Sequence, residues 1–115
     1  MAEAEFGIID SIRQDEDYSK YEPGKYGCIG INDERYIDDW WPQLCLLKTY
    51  FHRMNRPAFG LARYGVTLIP PSSLAQLQDI VLSDKRLKED SRLGLLAELI
   101  GKAIEENKYM IHYGV

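Results

Sequence analysis

Two histidines are the side chains in this chain best suited to acid–base chemistry. His52 and His112 carry the imidazole group, whose charge changes near neutral pH without special surroundings. Neither lies in a recognisable catalytic motif. One hypothesis combines His52 with Arg56, Arg63 and Tyr64 in a small-molecule-binding site, or a small enzyme, around a sheet edge.

Other motifs that carry chemistry are absent from the sequence. Cys28 and Cys45 lie in apolar runs that would raise their pKa, and no CxxC, HxxxH or HExxH spacing exists. The glycines form neither GxGxxG nor a Walker loop, and the paired carboxylates after position 32 lack the ligand spacing of a calcium loop. The sequence therefore predicts no catalytic residue, no metal site and no cofactor.

The distribution of charge along the chain is more informative. Residues 1–41 hold eleven acidic and four basic residues, a net charge of −7, whereas the remainder has a net charge of +3. An acidic surface repels nucleic acid and attracts basic proteins. We therefore expect a basic protein partner and no nucleic-acid binding.

Aromatic residues are interleaved with these acids, and such side chains are common anchors at protein interfaces. Alternatively, the aromatics fill the core and the acids only confer solubility. Trp40 and Trp41 are adjacent, so they cannot both point into the core of a regular strand, and either can be core or interface. The candidate partner-binding residues are Asp15, Glu16, Asp17, Asp33, Glu34, Asp38, Asp39 and Trp40.

Length and composition predict the number of domains and the cellular compartment. A chain of 115 residues is too short for two independent cores, so we expect one globular domain over residues 1–115. Apolar runs such as Leu44–Leu47 are too short to span a membrane, and Glu3 and Glu5 stand where a secretory signal would be basic. These features predict a cytoplasmic protein without a disulfide.

The first half of the chain reads as strands and loops. Phe6–Ile12 and Tyr26–Ile31 are predicted strands, separated by a polar surface loop or wide hairpin connection that contains Pro23-Gly24. The stretch 36–51 is ambiguous, because its apolar residues keep helical spacing while its second half has strand composition. We predict a helical turn over 37–41 and a strand over 44–51, with a helix beginning at Pro42 as the alternative.

The secondary structure of the second half of the chain is less ambiguous. Phe59–Ile69 predicts one strand bent at Gly60 or Gly65, and Ser72 or Ser73 is expected to cap a helix ending near Ser83. A charged link leads to a second helix with an apolar stripe from Leu93 to Ile104, and residues 109–113 predict a closing strand. The order indicates an α+β fold with an antiparallel or mixed sheet of four to five strands and two C-terminal helices on one face.

Two segments suggest a family. YGVTLIPPSSL (64–74) and DYSKYEPGKYGCI (17–29) cover about a fifth of the chain, and they resemble small bacterial proteins that act as immunity partners in polymorphic-toxin systems. The resemblance implies a cytosolic antitoxin that blocks a cognate toxin by tight binding. Acidic immunity surfaces of this class often face basic nuclease toxins.

The leading hypothesis is therefore a non-catalytic inhibitor whose acidic, aromatic-bearing surface covers a basic site on another protein. The His52 site described above is the second hypothesis. The third is a homo-oligomeric structural module in which Trp40 and Trp41 are buried at a symmetric contact.

Overall fold

A computed structural model describes residues 3–114, and Met1, Ala2 and Val115 lie outside the described residues. Its centre is one antiparallel sheet of six strands with the order β2-β1-β6-β5-β3-β4. The strands are β1 (Glu3–Ile9), β2 (Ile29–Asn32), β3 (Lys48–Phe51), β4 (Pro57–Phe59), β5 (Val66–Ile69) and β6 (Tyr109–Tyr113). The predicted closing strand β6 lies in the middle of the sheet, between β1 and β5.

Three α-helices accompany the sheet: α1 (Asp38–Leu44), α2 (Pro71–Leu82) and α3 (Ser91–Glu105). The Asp90 side chain caps α3 by accepting a hydrogen bond from the Arg92 N–H. The α+β class with an antiparallel sheet is confirmed. The finer prediction differs in detail, because the sheet has six strands and a third helix precedes the two C-terminal ones.

One face of the sheet packs against the helices, and we call it the helix face. Phe6 of β1 and Met110 of β6 are fully buried there against the apolar stripes of α2 and α3. α1 adds Trp40 and Leu44 to the same cluster. Helical periodicity and strand alternation therefore converge on one core.

The opposite face is covered by the connection between β1 and β2, residues 10–28, and we call it the loop face. Tyr18 of this connection is 4% exposed and packs with Ile111 and Tyr113 of β6. Its hydroxyl accepts a hydrogen bond from the Arg13 N–H, and its own N–H donates to the carbonyl of His52. The predicted surface loop is thus part of a second core, and Ile12 belongs to it rather than to β1.

Two predicted segments have different boundaries in the structure. A π-helical turn over Asp33–Ile37 continues directly into α1, so the helical part is longer than predicted and strand β3 begins only at Lys48. The single strand predicted over 59–69 is instead two strands, β4 and β5, which both pair with β3. Gly60 has a φ of +77°, which ends β4 because a strand requires negative φ.

Smaller predictions at the serines and cysteines are also corrected. Pro70 occupies the position before α2, and neither Ser72 nor Ser73 caps the helix; the Ser73 hydroxyl instead donates to the Lys48 carbonyl at 2.6 Å. Both cysteines are free, and Cys45 is exposed rather than buried, whereas burial raises the pKa of the half-buried Cys28 thiol to about 12. Within residues 3–114, no helix combines the length and the apolar character needed to cross a membrane.

Candidate functional site

One end of the sheet collects many of the candidate residues. At this end β2 and β6 finish, β5 begins, and His52 follows the last residue of β3. We call this region the His52 end and define it as residues 17–19, 33–38, 52–53 and 60–65. Two acidic segments that are distant in sequence reach it, one through an ion pair with Arg53 and the other through ion pairs with Arg63.

Asp17 begins the first cluster of the His52 end. Its carboxylate accepts hydrogen bonds from the N–H and the hydroxyl of Ser19 and pairs with Arg53 at 2.9 Å. The D-x-S spacing favours this local turn, in which a carboxylate accepts from a backbone N–H two residues later. The Ser19 hydrogen bonds, and then Arg53, lower the pKa of Asp17 to about 2. Asp17 is therefore a fixed negative charge at neutral pH.

His52 joins the same cluster through the Ser19 hydroxyl, which lies 3.0 Å from its Nδ1. Its backbone adopts a φ of +66°, which is uncommon for a residue other than glycine. Gly65 gives the ring room, because a Cβ at Gly65 would lie 2.8 Å from His52 Nε2. The tight turn that ends β3 therefore fixes the imidazole against the loop 60–65.

The order of Asp17, Ser19 and His52 differs from that of an acyl-transfer triad. In such a triad the imidazole lies between the carboxylate and the hydroxyl and removes the hydroxyl proton. Here the hydroxyl lies between the other two groups and donates to Asp17, so in its contact with His52 it accepts from the Nδ1–H tautomer. This arrangement orients the three side chains but does not activate Ser19 as a nucleophile.

Arg63 is the centre of the second cluster. Its guanidinium pairs with Asp33 at 2.9 Å and also with Asp38, and it lies 5.2 Å from the centre of the Trp41 ring. Asp33 is only 3% exposed, and pairing with a guanidinium offsets the cost of burying its charge. Next to this cluster, Tyr64 is 83% exposed.

Trp40 is not a surface anchor, which corrects one of the sequence-based candidates. It is 5% exposed, it stacks on Tyr36 with ring centres 5.5 Å apart, and its Nε1–H donates to Asp84 at 2.8 Å. Trp40 and Trp41 are consecutive residues of α1, so their side chains point in different directions: Trp40 faces the core, while Trp41 is half-buried beside Arg63. Burial within the chain also removes Trp40 from the proposed symmetric contact.

Asp39 belongs to a separate ion-pair network around Arg86. Arg86 pairs with Asp39 at 3.0 Å and with Asp84 at 2.7 Å, and it lies 4.6 Å from the centre of the Tyr36 ring. The Arg86 hydrogen bonds hold the pKa of Asp84 well below its usual range. This network ties the link between α2 and α3 to α1, so the charge of Asp39 serves an internal contact.

The charge asymmetry of the sequence is largely balanced in three dimensions. Six acids of residues 1–41 pair with bases from beyond residue 41, so the two charge surpluses attract each other within the chain. The pairs are Glu3–Arg92, Asp10–Lys108, Asp17–Arg53, Asp33–Arg63, Asp38–Arg63 and Asp39–Arg86. Of the sequence-predicted acids, Asp15 and Glu34 make no ion pair within residues 3–114, and Glu16 meets Arg13 only at 4.0 Å.

The second hypothesis predicted a pocket shared by His52, Arg56, Arg63 and Tyr64. The structure brings His52 and Arg63 to the same end of the sheet, but Arg63 is engaged with two carboxylates. Arg56 and Tyr64 are exposed. These side chains therefore do not converge on one point. In the part of the chain that the structure describes, no cluster of three or more His, Cys, Asp or Glu residues could hold a metal ion.

Comparison with known proteins finds no matching family model, no matching curated protein and no matching solved structure. Function is therefore inferred from the residues of this chain. Sequence reasoning missed Ser19, Arg53 and Arg86 as members of the charged clusters. Only the D-x-S spacing signalled Ser19, whereas the two arginines depend on contacts that are distant in sequence.

Proposed function

We propose that this protein is a non-catalytic protein-binding module that covers a basic site on a partner, as immunity proteins do with toxins. The convergence of two acidic segments at the His52 end is the observation that carries this proposal. Asp17 and Asp38 are held there by Arg53 and Arg63. Asp15 and Glu34 extend the same two segments without an ion pair of their own within residues 3–114.

The chemistry of this surface favours a basic protein over a small substrate. Carboxylates held by arginines keep their positions on binding, which lowers the entropy cost of association. The unpaired charges of Asp15 and Glu34 remain available to steer a basic partner. Tyr64, at 83% exposed, supplies an aromatic side chain of the kind that anchors interfaces. A basic nuclease domain of a toxin has the matching charge.

The experiment begins with affinity purification of the full chain from its source cell, followed by native mass spectrometry. A basic protein in a defined complex is expected, and the product of the neighbouring upstream gene is the first candidate to co-express. We expect the double variant Asp15→Asn/Glu34→Gln to slow association several-fold at low salt, because it removes two steering charges.

A matched control removes two charges elsewhere. Glu98→Gln/Glu105→Gln neutralises two exposed acids of α3 that have no ion pair within residues 3–114. The association rate of this control is expected to stay near that of the unmodified chain. Equal rates for the two double variants, or no protein partner at all, would contradict the proposal.

A further inference from the structure

Part of the loop face is left open by the connection 10–28. Over β3 and β4 the sheet instead bears a cavity of about 420 Å³, which we call the aromatic shelf. Its lining includes Lys48, Tyr50, Pro57, Phe59, Pro70 and Tyr109. Lys48 and Phe59 are opposite each other in the register of β3 and β4, as are Tyr50 and Pro57, so the floor is a regular patch of the sheet.

The aromatic shelf combines an apolar floor with unused polar groups. Phe59 is 62% exposed, so its ring is accessible to a ligand. The hydroxyls of Tyr50 and Tyr109 make no hydrogen bond within residues 3–114. Burial, and then Tyr50, raise the pKa of Tyr109, so its hydroxyl stays protonated and can donate. Such a site can orient a ligand with a few polar contacts on a mainly apolar surface.

Lys48 determines the charge of the ligand that the aromatic shelf can bind. It is the only charged residue of the lining, and its ammonium has no ion pair within residues 3–114. Five of the ten bases beyond residue 41 are paired with acids, whereas Lys48 is an unpaired base that lines a cavity together with aromatic rings. The complementary ligand group is an anion attached to an apolar body.

We propose that the aromatic shelf binds a small aromatic carboxylate, with its ring against Phe59 and Tyr50 and its carboxylate on Lys48. The volume lies in the range of small-molecule sites, roughly 300–1,000 Å³. A peptide added as a strand is disfavoured at this edge. β4 has three residues, and Pro57 lacks the N–H that strand addition requires.

Indole-3-acetate is the probe, and the neutral indole-3-acetamide is its isostere. Titration of the full chain is followed by two-dimensional NMR of the backbone amides. We expect indole-3-acetate to shift the amide signals of Lys48, Tyr50, Phe59 and Tyr109. Its affinity should exceed that of the amide about tenfold, because only the acid forms a charge-assisted contact. Absence of these shifts with both probes at millimolar concentration would overturn the proposal.

Two variants test separately how the charge of Lys48 and the apolar floor contribute to binding. Lys48→Met keeps the length of the side chain and should remove the preference for the acid over the amide, whereas Phe59→Ala should weaken both probes. Lys88→Met is the matched control, because Lys88 is exposed and lies in the link between α2 and α3. A tenfold preference that survives in Lys48→Met would show that Lys48 does not hold the carboxylate.

Discussion

The two faces of the sheet are covered by different kinds of structure. On the helix face, regular helices bury aliphatic side chains such as Leu77 and Leu96. On the loop face, the irregular connection 10–28 buries Tyr18 over the strands. A helix satisfies its own backbone, whereas a loop needs partners for each buried N–H and C=O group. The second core must therefore contain polar groups as well as apolar surface.

Tyrosines meet that need on the loop face. The Tyr18 hydroxyl accepts from the Arg13 N–H at 2.9 Å, and the Tyr113 hydroxyl accepts from the Glu22 N–H at 3.3 Å. A phenol can fill a core and satisfy a backbone donor at once. The comparison indicates that the helix face supplies most of the stability, while the loop face depends on a small number of specific contacts.

The largest expected effect is on the helix face. Leu96 is fully buried, so Leu96→Ala should lower the free energy of unfolding by about 2–5 kcal/mol through lost burial and a residual cavity. Leu95 is its neighbour and is 51% exposed, so Leu95→Ala should cost well under about 1 kcal/mol. Urea denaturation measures both variants. Equal losses would show that the two positions do not differ in packing.

On the loop face, Tyr18→Ala should cost about 2 kcal/mol, because it removes a buried ring and a backbone partner. The loss should be local, so hydrogen exchange should accelerate at the amides of Glu22 and Cys28 but not at Met110 of β6. Tyr64→Ala, at an exposed position, is the control. Uniform acceleration at all amides would instead show that the two cores unfold as one unit.

His112, which contacts Phe6 on the helix face, should make the free energy of unfolding depend on pH. Burial, and then Arg63, lower its pKa from 6.5 to about 3, and its Nε2 has no hydrogen-bond partner within residues 3–114. Between these values the unfolded chain binds a proton that the folded chain does not. Stability therefore falls as pH falls, by roughly 2 kcal/mol from pH 6.5 to about pH 4.5.

The variant His112→Leu should lose this pH dependence, which urea denaturation at several pH values measures. The difference between the two chains at each pH isolates the histidine, because the carboxylates that titrate below about pH 5 are the same in both. An unchanged slope in His112→Leu would contradict the assignment.

The smallest expected effect is at Trp40, which belongs to the core of the helix face. Trp40→Phe keeps an aromatic ring against Tyr36 but removes the N–H that Asp84 accepts, so we expect a loss of about 1 kcal/mol. Thermal unfolding measures this loss. Trp41→Phe is the matched control and should have less effect, and a larger effect at Trp41 would contradict the assigned roles of the two tryptophans.

The predictability of the fold followed the kind of signal that each element carries. The stripe Leu93–Ile104 predicted α3 because its period is local, and residues 109–113 likewise predicted β6. The π-turn at Asp33–Ile37 was missed. At Gly60 the sequence predicted only a bend, and the pairing of both β4 and β5 with β3 turns that bend into a break between two strands. The candidate acids were identified by composition, but their ion-pair partners were not.

The sequence by itself determined the α+β class, the helix stripes and the acidic character of residues 1–41, because these depend on residue type and short spacing. Tertiary structure alone decided that Tyr18 is core and that Trp40 is buried. It also decided that six acids of this region are paired with distant bases. Burial and ion pairing depend on which distant segments meet, and no local pattern encodes that choice.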